Sequence, residues 1–448
     1  MASTSNYPNT FKASAYGLDE AKLYTNLNQE DQWIDIRTAI AEITIIESIF
    51  NAGISVQIQV VDTRSILEAL KIIGNEKIKL TISREDIVSG EKKSFELNLF
   101  LAEVGNYSRT NPGKQSYTLT CVSEHVYNNQ FQTLKYPFSG SIGNTIEQVC
   151  KSNLKIDKEK LEINKEVGSV KGIFPRIKPL SAINWLLLNA YDGETPCFFF
   201  ETVSENKIKL QSLKEMIDGD VYETYTFEPF LQHSIANPDL DAEALYLEEK
   251  RKIQAISSEL NMSKLKSVAE GSYGAKLHVI DIHEKTSTPF EYKYKRTVKL
   301  NEHDPFSKTT KFLDKTLPNQ PEGKNYFLSK NSKAFGNDGN YHTPNEPTIM
   351  AANAYLKNLN TQTVEITIAG DFDLYVGKKV EIQVQRVGAE KEDGDPNDVY
   401  FSGNYVVTQI QHLFNTEYNA KVKLKKDSFM ESVDDILQIK HEEEDTDA

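Results

Sequence analysis

The sequence has little cysteine, tryptophan and methionine, and it lacks long apolar runs. Among its 448 residues are 3 cysteines, 2 tryptophans and 5 methionines. Cys121, Cys150 and Cys197 are odd in number and none lies in a Cys-x-x-Cys pair, so we expect three reduced thiols in the core. The longest apolar clusters, 185–188 and 198–200, are far too short to span a bilayer. Membrane insertion is therefore not expected.

A surplus of basic residues is also missing, since 51 Lys and Arg face 65 Asp and Glu and the net charge is −14. The segment 431–448 carries half of this charge, because it holds Lys440 and eight acids: Glu431, Asp434, Asp435, Glu442, Glu443, Glu444, Asp445 and Asp447. This run predicts an acidic, solvated tail. The rest of the chain lacks the basic surface that binds a phosphate backbone. No basic stretch followed by an apolar one opens the sequence, so we expect no signal peptide and synthesis as a soluble protein.

Signatures of common catalysts are not found in the sequence. The loop 140–145 precedes a predicted helix, but a P-loop would need a lysine in place of Asn144 and a glycine in place of Phe138. Gly-x-Ser-x-Gly, His-Glu-x-x-His and papain-like cysteine contexts do not occur. The possibility of a pair of catalytic carboxylates, as in a glycoside hydrolase, stays open, because the distance between two carboxylates is a three-dimensional property. We predict no catalytic, cofactor-binding or metal-binding residues and no cofactor.

Two small groups of polar side chains favour structural interpretations. His278 and His283 are five residues apart, which on one strand places them on opposite faces. Asp281 shares a face with His283, but two ligands do not make a metal site. The basic run 250–252 follows acids on a predicted helix and is interpreted as a solvated, ion-paired face. We expect surface or hydrogen-bonding roles for the other histidines: His125, His233, His303, His342, His412 and His441.

The strongest positive signal is a two-residue alternation of apolar and polar side chains. Phenylalanine and tyrosine, which favour strands, number 21 each. Alternation of this kind is typical of antiparallel sheets and barrels with one dry and one wet face. It recurs in six places: 54–60, then Ile78, Leu80 and Ile82, then Phe95, Leu97, Leu99 and Leu101, then Phe290, Tyr292 and Tyr294, then Val364, Ile366 and Ile368, and Val380, Ile382 and Val384.

Helices are fewer, and the sequence predicts an α+β chain that is mainly antiparallel β. Asn144 is predicted to be the N-cap of the first helix, Gly271 the residue after the fourth, and Pro347 a first-turn residue of the fifth. The predicted helices are 145–154, 181–191, 239–258, 263–270 and 347–359. Between 301 and 347 the chain is polar, and 388–398 is a second polar insert, which we interpret as a hairpin tip.

Several segments, taken in order, resemble the baseplate hub proteins of contractile-tailed phages. The opening part has a strand pair with a short helix and a Gly-Asn-Glu turn at 43–62 and 74–80. A helix followed by a hairpin comes next, at 180–186, 198–202 and 208–210. Closing barrel strands lie at 363–372, 374, 376–377, 380–382, 403–407, 411–412 and 421–424. Each piece is a degenerate β-pattern, so the resemblance lies in their order, and no counterpart is identified for the charged helix after Asp239 or for the loop after Asn301.

The resemblance implies two tube-like β-barrel domains, whose strands could be interleaved in sequence, with helical insertions. The expected divisions are an N-terminal arm (1–30), a first tube-like domain (31–140) that part of 225–300 could complete, the first part of a second tube-like domain (141–224), a charged helix with returning strands (225–300), a long polar loop or arm (301–346), the closing strands (347–427) and the acidic tail (428–448).

The function implied by this resemblance is structural and not enzymatic. A hub of this kind is a homotrimer that forms a pseudo-hexameric ring in the virion, assembled in the host cytoplasm. It joins the tail tube or its adaptors and the inner baseplate (wedge) proteins to a membrane-puncturing spike, and DNA passes through its lumen without sequence-specific binding. Two alternatives stay open, another tail component such as a spike-like or host-binding subunit, and a peptidoglycan hydrolase of the tail tip.

Overall fold

A computed structural model describes residues 13–24, 32–86, 90–227, 242–260, 263–304, 310–312, 315–317, 323–331, 346–386 and 397–430. The strands are β1 (Gly17–Tyr24), β2 (Trp33–Asp35), β3 (Ile40–Ser48), β4 (Ser55–Asp62), β5 (Lys77–Glu85), β6 (Lys92–Asn111), β7 (Lys114–Ser123), β8 (Pro137–Ser141), β9 (Leu161–Ile163), β10 (Ser169–Ile173), β11 (Tyr191–Asp192), β12 (Thr195–Thr202), β13 (Lys207–Ser212), β14 (Val221–Phe227), β15 (Ile253–Leu260), β16 (Gly274–Asp281), β17 (Thr286–Lys293), β18 (Thr310–Phe312), β19 (Lys315–Leu317), β20 (Asn325–Lys330), β21 (Gln362–Ala369), β22 (Lys379–Val384), β23 (Gly403–Phe414) and β24 (Tyr418–Lys426). The α-helices are α1 (Ile66–Ala69), α2 (Glu124–Asn129), α3 (Ile142–Ser152), α4 (Pro179–Leu187), α5 (Leu213–Asp218), α6 (Ala242–Arg251), α7 (Lys264–Ala269) and α8 (Glu346–Leu359).

Most of these strands belong to one sheet of 13 strands. Its main path runs β15-β21-β24-β23-β3-β4-β7-β6-β5-β1-β2, and β22 pairs with β23 and with β14. Neighbours along the path are antiparallel, while β14 and β22 are parallel. The predicted class, α+β with mainly antiparallel strands, is confirmed.

The first half of the sheet, β1 to β7, is contiguous in the sequence. Alternation places Val56, Ile58 and Val60 of β4 in the core, as predicted, with the intervening glutamines exposed. The apolar rows of β4 to β7 form one core cluster. We expected 1–30 to be an arm, but β1 pairs with β5 and its Ala21 and Leu23 fill the same core, so that prediction is wrong for β1. Residues 1–12 and 25–31 lie outside the described ranges.

Two buried carboxylates of the first half close turns near them in sequence. Glu76 accepts hydrogen bonds from the backbone N–H of Gly74 at 2.9 Å and of Asn75 at 3.0 Å. Gly74 has φ +100, a backbone conformation that glycine adopts without strain. Asp62 accepts from the N–H of Ile66 at 2.7 Å, which begins α1. Both acids therefore satisfy donors within a few residues of themselves.

A smaller layer of helices and short sheets, 124–218, has its own apolar core. Its helix α3 begins earlier than predicted, because Ser141 and not Asn144 is the N-cap and accepts from the Asn144 N–H at 3.5 Å. The helix predicted at 181–191 is α4, which begins at Pro179 and ends at Leu187. The three cysteines, two of them in this layer, are buried and free, as predicted: Cys121, Cys150 and Cys197.

The second half of the sheet consists of strands from two distant segments, 221–260 and 362–426. Ile366 and Ile368 of β21 are buried, as the alternation predicts. The helix predicted at 239–258 is wrong after Arg251, because α6 ends there and β15 follows as an antiparallel partner of β21. Pairing with a sheet partner outweighs the weak helical preference of this segment.

Beside this half lies a sheet of three strands, β17-β16-β20, which packs on α8. We predicted a loop or arm at 301–346, and this is wrong where the structure has strands. Strand β20 pairs in parallel with β16, and β18 and β19 pair with each other. Helix α8 starts one residue before its predicted beginning. Helix α7 ends as predicted, with Gly271 at φ +86 and the Ser272 N–H bonded to Ser267 O at 2.9 Å.

Two predicted segments cannot be compared with the structure in full. The acidic run 431–448 lies outside the described residues, and so does most of the polar insert 388–398. Gln385, which precedes the insert, and Asn397, near its end, form an antiparallel bridge. Within the described ranges, no helix is both long and apolar enough to cross a membrane.

Candidate functional site

Ser123, His125 and Glu201 meet beside a groove of about 80 Å³. The Ser123 hydroxyl donates to Glu201 Oε2, which also accepts from the Ile54 N–H at 2.9 Å. His125 Nε2 lies 2.8 Å from the carbonyl oxygen of Ala52. A serine nucleophile needs its hydroxyl on the imidazole, whereas here the hydroxyl is bound to a carboxylate and the imidazole to a carbonyl. These contacts join β12 to the loop before β4 and lack the geometry of acyl transfer.

The two histidines considered for a metal site do not meet. His278 lies on β16 and stacks on Phe327, with ring centroids 5.2 Å apart. His283 lies in the turn after β16 and not on the strand, so its predicted place on the opposite strand face is wrong; its N–H donates to Asp281 Oδ1 at 2.9 Å. Among the residues that the structure describes, no group of three His, Cys, Asp or Glu side chains could hold a metal ion.

The feature that organises the sheet is a branch at β23. One edge of β23 pairs with β24 along most of its length. The other edge pairs with β22 over 403–406 and with β3 over 409–414. Thr408 lies between these two stretches, where the register with β24 shifts, and its carbonyl accepts from the Ile49 N–H at 3.0 Å. The pairing of β3 with β23, which we call the seam, joins the two halves of the sheet.

Glu47 of β3 lies at the seam with 1% of its surface exposed. Its Oε2 accepts from the Val203 N–H at 2.8 Å, and its Oε1 accepts from the Val376 N–H at 3.2 Å. Both donors lie more than 150 residues from Glu47 in the sequence. One buried carboxylate thus satisfies backbone donors from the layer 124–218, which we call the insert layer, and from the second half. These donors would otherwise be buried without partners.

His412 and Tyr418 continue this polar network along the seam. The Tyr418 hydroxyl donates to the carbonyl oxygen of Asp371 at 3.1 Å and lies 2.8 Å from His412 Nδ1. Since the phenol proton is used on Asp371, His412 Nδ1 is assigned as the donor to Tyr418. His412 Nε2 then faces Glu47 Oε1 at 3.7 Å. Complete burial raises the pKa of Tyr418 well above its usual value, so the phenol stays a donor.

Asp371, 1% exposed, is the second buried acid near the seam. Its Oδ2 accepts from the Tyr222 hydroxyl at 2.8 Å and lies 3.3 Å from Lys250 Nζ. Burial, reinforced by the negative charge of Asp371, raises the pKa of Tyr222. The run 250–252 was predicted to be a solvated face that pairs with acids of its own helix, and this is wrong for Lys250, whose partner is a buried acid of another element.

Two cations of the first half reach across to the loop after β21. Arg84 Nη1 donates to the carbonyl oxygen of Gly370 at 2.9 Å and also to that of Ala13. Lys93 binds Asp373 and lies 3.7 Å from Asp86. Burial acts to lower the pKa of Lys93, but the hydrogen bond and charge of Asp373 outweigh it and the pKa is raised. These contacts hold the halves in a fixed relative position.

The two ends of the sheet's main path are β15 and β2. Strand β15 has eight residues. Its second edge meets β14 in a single parallel bridge, between Lys252 and Thr226, and has no ladder partner among the described residues. Ala255, Ser257 and Ser258 of this strand are exposed, while Ile253 and Ile256 pack in the core of the second half. At the other end, Trp33 of β2 is 45% exposed. A long open edge invites pairing with another chain, so these ends are the candidate assembly surfaces.

Sequence reasoning found the strands of this site but missed its polar residues. Glu47, Asp371 and His412 interrupt or follow apolar runs, and a charged residue within an otherwise apolar strand was the available signal for Glu47 and His412. The partners Val203 and Val376 of Glu47, and Tyr222 and Lys250 of Asp371, lie more than a hundred residues away, so no local pattern identifies these two acids. We predicted surface or hydrogen-bonding roles for these histidines, and the ring nitrogens of His125 and His412 lie within hydrogen-bonding distance of Ala52 O and the Tyr418 hydroxyl.

No family model and no curated protein matches the chain. Solved structures do match it over nearly its whole length. The tail protein from Neisseria meningitidis MC58 has a TM-score of 0.51 and 10% sequence identity, and the match covers 92% of this chain and 97% of that one. The 43 kDa tail protein of prophage MuSo2 from Shewanella oneidensis has a TM-score of 0.50 and 9% identity, covering 91% and 98%. At these identities the likeness establishes that the chain shares the fold of two tail proteins.

Proposed function

We propose that the chain is a non-enzymatic structural subunit of a phage tail, and that it serves as the central hub of a contractile tail baseplate. Three copies form a pseudo-hexameric ring from six half-sheets. The ring joins the tail tube and inner baseplate proteins to a membrane-puncturing spike, and DNA passes through its lumen. The halves of the sheet on either side of the seam correspond to the two tube-like domains of each subunit.

The observation that carries this proposal is the continuous sheet, in which two halves share the seam. Within the described residues, the end strands β2 and β15 have a ladder partner on one edge only, and β15 is joined to β14 by the single bridge Lys252–Thr226 at its start. Closing such a sheet on copies of itself removes the exposed edges. The outer face at the seam carries the uncharged side chains Gln57, Gln59, Thr118 and Gln411. Lys421 and Lys423 of β24 lie on the same face, beside Gln411 and Gln409. The fold shared with two tail proteins over 91–92% of the chain agrees with this role.

The test is the mass of the purified protein by light scattering, followed by negative-stain imaging. A hollow, six-lobed trimer is the expected result. Adding lysines to the open edge, as Ala255→Lys with Ser257→Lys, should prevent ring closure, because edge charges oppose strand pairing. Gln57→Lys, which adds charge in the middle of the outer face, is the control and should leave the trimer intact. A monomer at all concentrations, or a trimer indifferent to the edge lysines, contradicts the proposal.

Peptidoglycan hydrolysis is the second candidate, and the groove beside Ser123 and Glu201 is the place considered for it. Its volume of about 80 Å³ is below the several hundred Å³ of an ordinary ligand pocket. Zymography on peptidoglycan, with Glu201→Gln as the variant, separates the two functions. Lysis that this substitution abolishes would replace the structural proposal.

A further inference from the structure

Part of the insert layer is cationic, although the whole chain has a net charge of −14. The segments 126–146 and 167–191 contain no Asp or Glu, and their basic residues are Lys135, Lys171, Arg176 and Lys178. Strand β8 of the first segment pairs with β10 of the second, and the two strands form a ribbon. The Leu180 N–H donates to Asn129 Oδ1 at 2.9 Å, which joins the start of α4 to the end of α2. Two stretches without acids are therefore adjacent in the structure.

The ribbon ends in a bulge with two exposed cations. Residues 174–177 lie opposite 134–136, with backbone hydrogen bonds at both ends of this stretch, so one side has an extra residue. Arg176 in the bulge has φ +55, a left-handed conformation that is uncommon for residues other than glycine. Lys135 lies opposite the bulge, and both residues are exposed. Within the described ranges neither side chain has an ion pair or a hydrogen bond, so both charges are available to an anion from outside.

Apolar side chains of α4 lie next to this bulge. Trp185 packs edge-on against Phe174, two residues before Arg176, with ring centroids 6.2 Å apart. Trp185 is 39% exposed. Leu188 lies three residues further on, on the same side of the helix, and is 67% exposed. The exposed side of α4 is therefore apolar and continues from the cationic bulge.

Phe131 adds a third apolar side chain at the start of α4. It is 69% exposed. It follows Gln130, whose carbonyl oxygen accepts a hydrogen bond from Lys178 Nζ. Lys178 is the N-cap residue of α4, so this bond holds Phe131 near the helix. We call the resulting surface the ribbon-end surface, and its residues are Phe131, Lys135, Arg176, Trp185 and Leu188.

A bilayer with anionic headgroups matches both the charge and the apolar character of this surface. Basic residues bind negative headgroups, and an arginine can bind one phosphate through two parallel hydrogen bonds. Tryptophan and other large apolar side chains are favoured at the boundary between headgroups and acyl chains. A soluble anion or a nucleic-acid phosphate would bind the two cations but leave Leu188 in water. A membrane surface uses all five side chains.

We propose that the ribbon-end surface binds the surface of a bilayer that contains anionic phospholipid. Headgroup phosphates bind Lys135 and Arg176, while Phe131, Trp185 and Leu188 enter the headgroup region. The binding is peripheral, and it requires no segment of the chain to cross the membrane. This inference does not rest on the hub function, because it follows from the charge and exposure of one surface of the insert layer.

Vesicle binding of the full-length chain tests the proposal, with Trp185 as the reporter. The chain has two tryptophans, so Trp33→Phe leaves Trp185 as the only indole. We expect this variant to co-sediment with vesicles of phosphatidylcholine and phosphatidylglycerol, and its emission to shift to shorter wavelength. Vesicles of phosphatidylcholine alone should give neither result. Added salt should weaken the binding, because it screens the headgroup charge.

Lys135→Gln with Arg176→Asn, made in the Trp33→Phe chain, removes the two cations. Asn is used because it tolerates a positive φ. Binding to the anionic vesicles should weaken about thirtyfold, since each basic residue near such a surface contributes about a factor of five. The matched control, Lys158→Gln with Lys214→Gln, removes the same charge from two exposed positions of the insert layer. It should change the affinity by less than about twofold.

Phe131→Ser with Leu188→Ser tests the apolar part of the surface. Both side chains are largely exposed, so the fold should be kept. We expect weaker binding and a smaller emission shift of Trp185, while the salt dependence stays, because both cations are still present.

Several results would overturn the proposal. One is no binding to the anionic vesicles at low salt. Binding with unchanged Trp185 emission would place the membrane contact elsewhere, and an equal loss in the lysine control would mean that only net charge matters. A short DNA duplex that binds through Lys135 and Arg176, in a chain that ignores vesicles, would assign the surface to nucleic acid. A normal trimer without vesicle binding would reject this inference and leave the hub function standing.

Discussion

The two halves of the large sheet reach similar structures from different arrangements in the sequence. The first half is contiguous, and its buried acids Asp62 and Glu76 bind backbone donors a few residues away. The second half brings together 221–260 and 362–426, and buried acids at its border, Glu47 and Asp371, bind donors far away in the sequence. Local polar contacts therefore shape the first half, whereas remote ones join the two segments of the second half at Asp371 and attach that half to the first at Glu47.

The largest effect is expected from charge in the core of the second half. Ile366→Asp with Ile368→Asp places two unpaired carboxylates at positions that are 1% and 0% exposed. The cost exceeds the roughly 5–15 kcal/mol by which a domain is stable, so the native fold should be lost. Phe372, Phe414 and Tyr418 of the second half also pack in the first-half core, and we expect that half to unfold as well.

Labelling of Cys121 in β7 measures this directly. Burial raises the pKa of its thiol to about 12 in the native protein, so the thiol is unreactive until the first half opens. Rapid labelling of Cys121 in the double variant is the expected result. A Cys121 that stays protected in the double variant would show that the first half folds without the second. The two halves would then be independent domains.

An intermediate effect concerns Lys426, the last residue of β24, which is 1% exposed. Its Nζ donates to Ser402 O at 2.8 Å and lies 4.8 Å from the ring of Tyr405. Burial lowers its pKa from 10.5 to about 7. Between these values the unfolded chain binds a proton that the native protein has lost, so stability rises with pH, by about 2 to 3 kcal/mol between pH 7 and 9.5.

Urea unfolding at several pH values in this range checks the slope. Lys426→Met should flatten it, while Lys421→Met, at an exposed position on the same strand, should leave it unchanged. A slope that survives Lys426→Met would assign the pH dependence to other groups. Hydrogen-exchange protection factors, which correct for the intrinsic rise of exchange with pH, that increase in β24 but not in β4 would locate the effect in the second half.

The third effect, similar in size to that of Lys426, is expected at the seam. Glu47→Ala leaves the buried N–H groups of Val203 and Val376 without an acceptor, which should cost about 2–4 kcal/mol. Denaturant unfolding measures the loss, and Glu42→Ala, at a partly exposed position of the same strand, should change stability by less than about 0.5 kcal/mol. Equal effects of the two substitutions would mean that Glu47 does not join the halves.

The strands were predictable because their signal is local. Alternation at 54–60 and at Ile366 and Ile368 reports which side of a strand faces the core, and the structure agrees. The helix predicted at 239–258 failed after Arg251 because pairing with β21, over a hundred residues later, decides the conformation of β15. The roles of Glu47 and Asp371 were not predictable, since their burial follows from contacts that no short window of sequence contains.

The pairing of β3 with β23 also determines how long β3 is without its partner while the chain is synthesised. Ser48 at the end of β3 contacts Thr408, 360 residues later. At a synthesis rate of about 5–20 residues per second, that edge of β3 waits roughly 20 to 70 s for β23 to emerge from the ribosome. During this interval the contiguous half has a bare strand edge in a crowded cell. Shielding of β3 by a chaperone, or by the insert layer synthesised in the meantime, is thus a requirement for producing the protein in soluble form.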